Sequence, residues 1–203
     1  MKKPDDQAFF RERYETLQKL VSRCGFTYQP LQSDLTYAIK QWQQDKGSQF
    51  WSRTAIRCLC AVIEACLFGF RKMAEEMASV SKVQFEPEEA EILAGVRIKN
   101  GIQRPKWLSP TDSVKESFRL FGKSVGCTVA VDYGDAGFAA LAEVFKIRNR
   151  LMHPKMPFDV EVRESDLQTA DKAIKWFNGA FVGVIDQSNA HVAKTVVNKG
   201  KRS

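Results

Sequence analysis

The residues best suited to chemistry lie in the stretch KIRNRLMHPK, residues 146–155, which holds four basic side chains and no acid. Within it, Arg148-Asn149-x-x-x-His153-Pro154 sets Asn149 and His153 four residues apart, so on a helix they stack on one face. Arg148 stands five residues before His153, roughly 140° round a helix, a gap that its long side chain can lean across. Pro154 disfavours the α conformation at the residue before it, which leaves the His153 imidazole at a helix C-terminus, open to a ligand.

These residue types suit the cleavage of RNA by its own 2′-OH. A base must take the hydroxyl proton, an acid must protonate the leaving 5′-oxygen, and a cation must offset the charge growing on the phosphoryl oxygens. Histidine titrates near neutrality and serves either proton transfer. Arginine is always charged and forks onto phosphate oxygens. Asn149 is placed to position the histidine or the phosphate. One histidine per chain cannot do both transfers at once. Two chains meeting about a twofold axis would bring two histidines and two arginines to one cleft, without a metal. The bland alternative for His153 is a helix-end side chain that satisfies the last carbonyls.

The charge of the chain is concentrated rather than spread. Of its 31 Lys and Arg, twelve fall in three acid-free windows, 97–106, 146–155 and 194–203, and without them the net charge of +7 becomes −5. Localised positive charge suits an anionic partner such as RNA, with Lys146, Arg150, Lys155, Arg104 and Lys106 as candidate backbone contacts. Five cysteines, three of them in one apolar stretch, and no secretory signal in the first twenty residues point to free thiols in a reducing, cytoplasmic setting. No second Cys/His cluster sits at a metal-like spacing, and no Walker loop or Rossmann glycine pattern occurs. The expectation is therefore no metal and no cofactor. The most apolar run, 55–70, contains Arg57 and Glu64 and is too short to span a bilayer, so no membrane association is expected.

The elements that must position the motif read as helices nearly throughout. Residues 5–24 form a first helix ended by Gly25, and 33–45 a second, shorter one. The third spans about 50 to 79 and a charged fourth covers 86–99, followed by an open basic loop, NGIQRPKW. Ser109 as N-cap, Pro110 at the first helical position and Asp112 near the positive end of the dipole start a helix that runs to about Gly126. Residues 127–132 leave room for a short β stretch. The helix carrying the motif turns Phe138, Leu141, Ala142, Phe145 and Leu151 inward. A last helix, capped at Ser165, packs through Leu167, Ala170, Ile174, Phe177 and Phe181. The class is all-α, a single bundle of five to seven helices.

A polar stripe crosses the third helix: Arg57, Cys60, Glu64 and Arg71 fall within about 40° of Arg53. Arg53 and Arg71 read as an ion-pair strip or solvent face. Glu64, deep in the apolar run, reads either as part of the same strip or as a buried carboxylate that needs a partner, with Arg148 available and Arg148 or His153 to be oriented by it. Trp42, Trp51, Trp107 and Trp176 are all able to stack on bases, but their spacing among other apolar residues reads as core packing. Trp107 stands apart in the basic loop, which reads either as a track for RNA backbone or as an ordinary solvated connection. His191 reads as a residue near a fraying helix end.

The string IRNRLMHPK resembles the R-N-x-x-x-H signature of HEPN domains, helical bundles whose motif is Arg, a few residues, then His. RTAIRCLCAVIEACLFGFRKM and RESDLQTADKAIKWFNGAF are similar, more loosely, to the long helix of those bundles and to the helix after the motif. The resemblance implies residues 1–48 as an N-terminal helical extension, 49–190 as the HEPN-like bundle and 191–203 as a basic disordered tail. It also implies a homodimer with a composite cleft and metal-independent endoribonuclease activity, with Arg148 and His153 catalytic and Asn149 supporting. Toxin–antitoxin or anti-phage roles, with an antitoxin or regulatory protein as partner, belong to the same implication. Other members of the family bind nucleic acid, a nucleotide or a protein without catalysis, and that alternative stays open, as does a purely regulatory bundle. Lys155 stands where toxins paired with nucleotidyltransferase antitoxins carry a modified Tyr, which departs from that version of the family.

Overall fold

The computed structural model describes residues 6–200 and, among these, all side chains but those of residues 6, 7, 10, 26 and 196–200. Six helices dominate: α1 Asp6–Gln44, α2 Gln49–Ser81, α3 Pro87–Ala94, α4 Pro110–Ser124, α5 Ala136–Met152 and α6 Glu164–Gly200. A two-stranded hairpin, β1 Val96–Lys99 and β2 Ile102–Pro105, follows α3, and a short 3-10 turn, Pro157–Val160, follows α5. The class is all-α as the periodicity requires. The chain divides into two compact units, residues 1–24, 67–131 and 181–203 in the first and 25–66 and 132–180 in the second. These boundaries differ from an extension, bundle and tail divided at 48 and 190, because α1, α2 and α6 each contribute to both units.

Several elements depart from the expectation. The helices read at 5–24 and 33–45 are one, α1, with Gly25 and Pro30 inside it. Gly25 does not take the left-handed conformation that would end a helix. The Ser33 hydroxyl, which resembles a start signal, donates to the Gln29 carbonyl at 3.0 Å as a mid-helix residue does. An interior glycine costs about 1 kcal/mol and an interior proline about 3. Burial of Leu17, Leu20 and Cys24 in the first unit and Ala38 in the second works against those losses. At the other end α6 continues to Gly200, so the segment expected as a disordered tail is helical as far as the described residues go.

The expected helix at 86–99 stops at Ala94, where Gly95 is left-handed at φ 70° and its N–H reaches the Glu91 and Ile92 carbonyls. Asn100 and Gly101 then take φ values of 53° and 73°, and two successive positive φ angles form the tight turn whose twist matches a hairpin. The basic loop is therefore mostly a β-hairpin. α4 starts as read, with the Asp112 N–H donating to Ser109 Oγ at 3.1 Å. The segment 127–132 forms no strand. It has no regular secondary structure, and the Ala130 backbone is held by one side-chain amide, its N–H donating to Gln187 Oε1 at 2.7 Å and its carbonyl accepting from Gln187 Nε2 at 3.1 Å.

In the first unit Phe70 lies at the centre of an aromatic group, its ring 5.3 Å from Phe118, 4.6 Å from Phe121 and 4.5 Å from Phe181. Arg13 is buried beside this core and donates to Ser81 Oγ and the Val125 carbonyl, each at 3.0 Å. It thereby supplies a donor to the C-terminus of α4. In the second unit α5 buries Phe138, Leu141, Val144, Phe145 and Leu151, while Ala142 is only half-buried. On α6, Phe177 and Ala173 are fully buried, whereas Leu167, Ala170 and Ile174 are partly covered. Gly137 is required at the crossing of α5 and α6, since a Cβ there would lie 2.4 Å from that of Trp176.

Glu89 on α3 is the most heavily engaged buried acid, accepting from Lys123 Nζ, from Arg119 NH1 at 2.7 Å and from the Glu86 N–H at 2.9 Å. Burial alone would raise its pKa, but the hydrogen bonds from Lys123, Arg119 and Glu86 outweigh burial and hold it at about 2. A carboxyl depressed in the folded state contributes stability above its unfolded pKa near 4.5 and loses it as the pH falls towards 2. The stability gap between the wild-type chain and Glu89→Gln, read from urea unfolding, should be widest near pH 6. It should close progressively between about pH 4.5 and pH 2. Parallel curves for the two proteins would remove Glu89 as the source.

Candidate functional site

The motif occupies the last turn of α5 in the second unit. Asp135 starts that helix, its carboxylate accepting from the Gly137 N–H at 2.6 Å. At its end His153 leaves helical geometry at φ −131° and ψ 58°, as a residue before proline tends to, while its N–H still donates to the Asn149 carbonyl at 3.0 Å. The His153 side chain is exposed, and its imidazole makes no hydrogen bond or ion pair among the described residues.

Arg148 is held from three sides. It pairs with Glu64 of α2, donates from NH1 to Asn149 Oδ1 at 3.0 Å and lies 5.8 Å over the Phe145 ring. Burial pushes the neighbouring Cys60 thiol up to about 12, with the Arg148 charge opposing. The pairing of Glu64 with Arg148 read from the sequence is thus present. Its setting differs, because the Glu64 side chain is 51% exposed and that of Arg148 26%. Position 64 points outward between the buried Val62 and Ile63 and the buried Cys66 and Leu67, so an acid there stays hydrated.

Arg150 has a different employment from the one expected. Its NH1 donates to the Asp159 carbonyl at 3.0 Å and the Glu161 carbonyl at 2.7 Å, and its NH2 reaches Asp166 Oδ2 at 2.8 Å. It is a clamp on the segment after the motif rather than a free contact for RNA. The same segment is held by Arg53, which donates to the Val160 carbonyl at 3.2 Å. Gln49 also holds it, exchanging hydrogen bonds of 2.9 and 2.8 Å with the Val162 backbone. Arg57 donates to the Leu151 carbonyl at 3.1 Å, one of the acceptors that the end of α5 leaves without an intrahelical donor. Inside the loop the Asp159 carboxylate accepts from the Lys155 N–H at 2.8 Å and the Met156 N–H at 2.9 Å. Those backbone donors, Lys155 first, hold its pKa below the usual range. Asp159, Asp166 and Gln49 had no signal in the sequence, since they act on backbone groups or on a residue of unrelated spacing.

The remaining candidates separate. Lys146 is exposed and pairs with Glu143 at 2.6 Å; the Lys155 side chain is exposed and makes no hydrogen bond or ion pair among the described residues. Arg104 and Lys106 belong to the first unit. Arg104 lies on β2 without an acidic partner among the described residues, whereas Lys106 is ion-paired to Glu91 at 3.2 Å and Glu88 at 3.4 Å. Arg71, also in the first unit, donates to Ser113 Oγ at 3.1 Å. Trp107 is 86% exposed, and the other three tryptophans are partly buried. His191 stands within α6 rather than at a fraying end. All five cysteines are free thiols.

The second unit also holds an open, largely apolar cavity of about 540 Å³, lined in part by Ile39, Trp42, Ile56, Leu59, Leu167 and Ile174. The Trp42 Nε1–H is buried there without a partner among the described residues. Arg148, Asn149 and His153 do not line it. Among the described residues no group of three or more His, Cys, Asp or Glu side chains is arranged around a common metal position. No helix among them is long and apolar enough to cross a membrane. Comparison of the chain with protein-family models, curated proteins and solved structures finds no match.

Because Arg150 closes three hydrogen bonds, two of them to backbone carbonyls, Arg150→Ala should cost about 1.5–3 kcal/mol in urea unfolding. It should also expose residues 153–163 to limited proteolysis. Lys155→Ala should leave stability within about 0.5 kcal/mol. Equal stability of the two variants would remove the clamp.

Proposed function

We propose that this chain is a metal-independent endoribonuclease of the HEPN kind that acts as a homodimer. The single observation that carries the reading is the exposed His153 imidazole, without a hydrogen bond or ion pair among the described residues, one helical turn beyond Asn149, whose Oδ1 accepts from the partly exposed Arg148 guanidinium. In the proposed reaction His153 of one copy takes the proton of an RNA 2′-OH, whose oxygen attacks the adjacent phosphorus. His153 of the second copy gives a proton to the 5′-oxygen as its bond to phosphorus breaks. The products are a 2′,3′-cyclic phosphate and a free 5′-OH. The two Arg148 side chains stabilise the charge on the phosphoryl oxygens. Asn149 steers Arg148, and Glu64 fixes its rotamer from the facing helix. A cytoplasmic toxin or anti-phage effector, restrained by an antitoxin or regulatory protein, is the setting that the family resemblance implies.

A second reading rests on the Glu64 carboxylate. It already meets the Arg148 charge, which suits a binding module that docks RNA or another partner without cleaving it. End-labelled RNA incubated in EDTA separates the two. The wild-type protein should cut RNA to cyclic-phosphate ends and leave matched DNA intact, since DNA lacks the nucleophile. His153→Ala and Arg148→Ala should each slow cleavage by at least about 100-fold. RNA that is bound yet stays whole with the wild-type chain would move the assignment to the non-catalytic module.

A further inference from the structure

The hairpin of the first unit carries a cost that its own fold does not explain. Its register pairs Arg97 with Arg104 and Lys99 with Ile102. Directly opposed residues of an antiparallel pair share a face, and so do residues two apart on a strand. One face of the ribbon therefore presents Arg97, Lys99, Ile102 and Arg104, and the other Val96, Ile98, Gln103 and Pro105. Every strand residue is exposed except Val96, which is half-buried. Residues 96–105 contain no acid, and none of the three cations has an acidic partner among the described residues. Two arginines held opposite one another repel, and like charges in that position destabilise a hairpin.

The ribbon is nevertheless well fixed at its base. The Lys106 N–H donates to the Gly95 carbonyl at 2.9 Å, and Lys106 Nζ is ion-paired to Glu88 and Glu91 of α3. α3 is joined to α4 through Glu89, Arg119 and Lys123. At the tip, Asn100-Gly101 closes the tight turn. Two residues beyond β2, Trp107 exposes 86% of its surface, far more than core packing would leave. A rigid, acid-free cationic face followed by an exposed indole has the parts of a single-strand binding surface. The cations follow the phosphates and the ring stacks on an unpaired base, which a duplex would keep covered.

We infer that the β1–β2 hairpin docks single-stranded RNA, with Arg97, Lys99 and Arg104 on the phosphodiester backbone and Trp107 stacked on a base. The choice of RNA rests on the function proposed above; the cationic face and the stacking surface stand without it. Lys106, though in the same basic stretch, anchors the ribbon and is not a contact.

The test uses the full chain and a fluorescent 2′-O-methyl RNA of about 20 nucleotides, which covers one such surface and cannot be cut because its 2′-oxygen is blocked. Binding is measured from about 50 to about 300 mM salt. Arg97→Gln/Lys99→Gln/Arg104→Gln should weaken binding at least tenfold and reduce the slope of log affinity against log salt by about 2, three lost phosphate contacts at ~0.7 each. Trp107→Ala should weaken binding several-fold and leave the slope unchanged. Lys40→Gln/Lys172→Gln/Lys175→Gln, which removes equal charge from exposed sites of the second unit, should change little.

Arg97→Gln alone supplies a readout that a structural role would not give. It should bind RNA more weakly while raising Tm by on the order of 1–3 °C, because the opposed arginine pair is gone. The inference is overturned if wild-type protein ignores the RNA, if both triple variants lose binding alike, or if Arg97→Gln lowers Tm together with affinity. It is also overturned if the hairpin variant loses binding to phosphatidylserine vesicles while RNA binding stays intact. Because the probe cannot be cleaved, a failed cleavage assay leaves the outcome here unaffected, and the reverse holds as well.

Discussion

A helix ends with carbonyls that have no intrahelical donor, and the candidate site is built on the way α5 meets that requirement. Pro154 forces the helix to stop at His153, which would leave the last turn and the following loop without partners. Arginines supply the missing donors: Arg57 at Leu151, Arg150 at Asp159 and Glu161, and Arg53 at Val160. Guanidinium groups suit this work because several N–H donors in one plane reach several acceptors at once. The loop that carries His153 into solvent is therefore stitched to α2 and α6 by side chains, while the imidazole itself stays unengaged. Rigid backbone under a free side chain is what a positioned acid or base requires.

Arg148 is held in a different way, and the difference matters for the proposed chemistry. Its pair with Glu64 lies at the surface, where an ion pair contributes about 0–1 kcal/mol. Little stability is at stake if a phosphate takes part of that guanidinium. The hydrogen bond to Asn149 and the contact with Phe145 come from the same helix, so they survive such an exchange and keep the side chain extended along one face. Glu64 thus orients Arg148 without burying it. Cys60 lies beneath the pair, its thiol held neutral by burial, and serves as packing rather than as a nucleophile.

Much of this was legible from residue types and spacing, and the misses have identifiable causes. Ser109, Pro110 and Asp112 announced α4 because capping is local and its chemistry is written in three neighbouring residues. The placement of Asn149 and His153 around one turn was also readable from helical spacing, whereas the partner sought for Glu64 was found for a reason that does not hold, since Glu64 is exposed rather than buried. Gly25 misled because a glycine ends a helix only if the chain turns left-handed there, and burial on either side kept α1 continuous. Asn100-Gly101 was a strong hairpin signal overridden by the helical reading of its basic neighbours. Arg150 could not be assigned from sequence, since two of its three partners are backbone carbonyls of a loop, which carry no residue signature.

The same distinction bears on how local charge should be counted. Three acid-free windows looked equivalent, each with four basic residues in ten. In the motif window Arg150 is bound to backbone and carboxylate, Lys146 to Glu143 and Arg148 to Glu64, which leaves Lys155 as its one basic side chain without a hydrogen bond or ion pair among the described residues. In the hairpin window only Lys106 is neutralised, and three cations remain on one face. Acids outside the window, from Glu143 three residues away to Glu64 on another helix, cancel the first cluster and spare most of the second. The unneutralised positive charge is therefore concentrated on the hairpin, and the motif window keeps one cation unpaired among the described residues, Lys155, beside the helix end that carries His153. Under the proposed function the chain would capture RNA with one surface and act on it with another, a division that a count of basic residues along the sequence does not reveal.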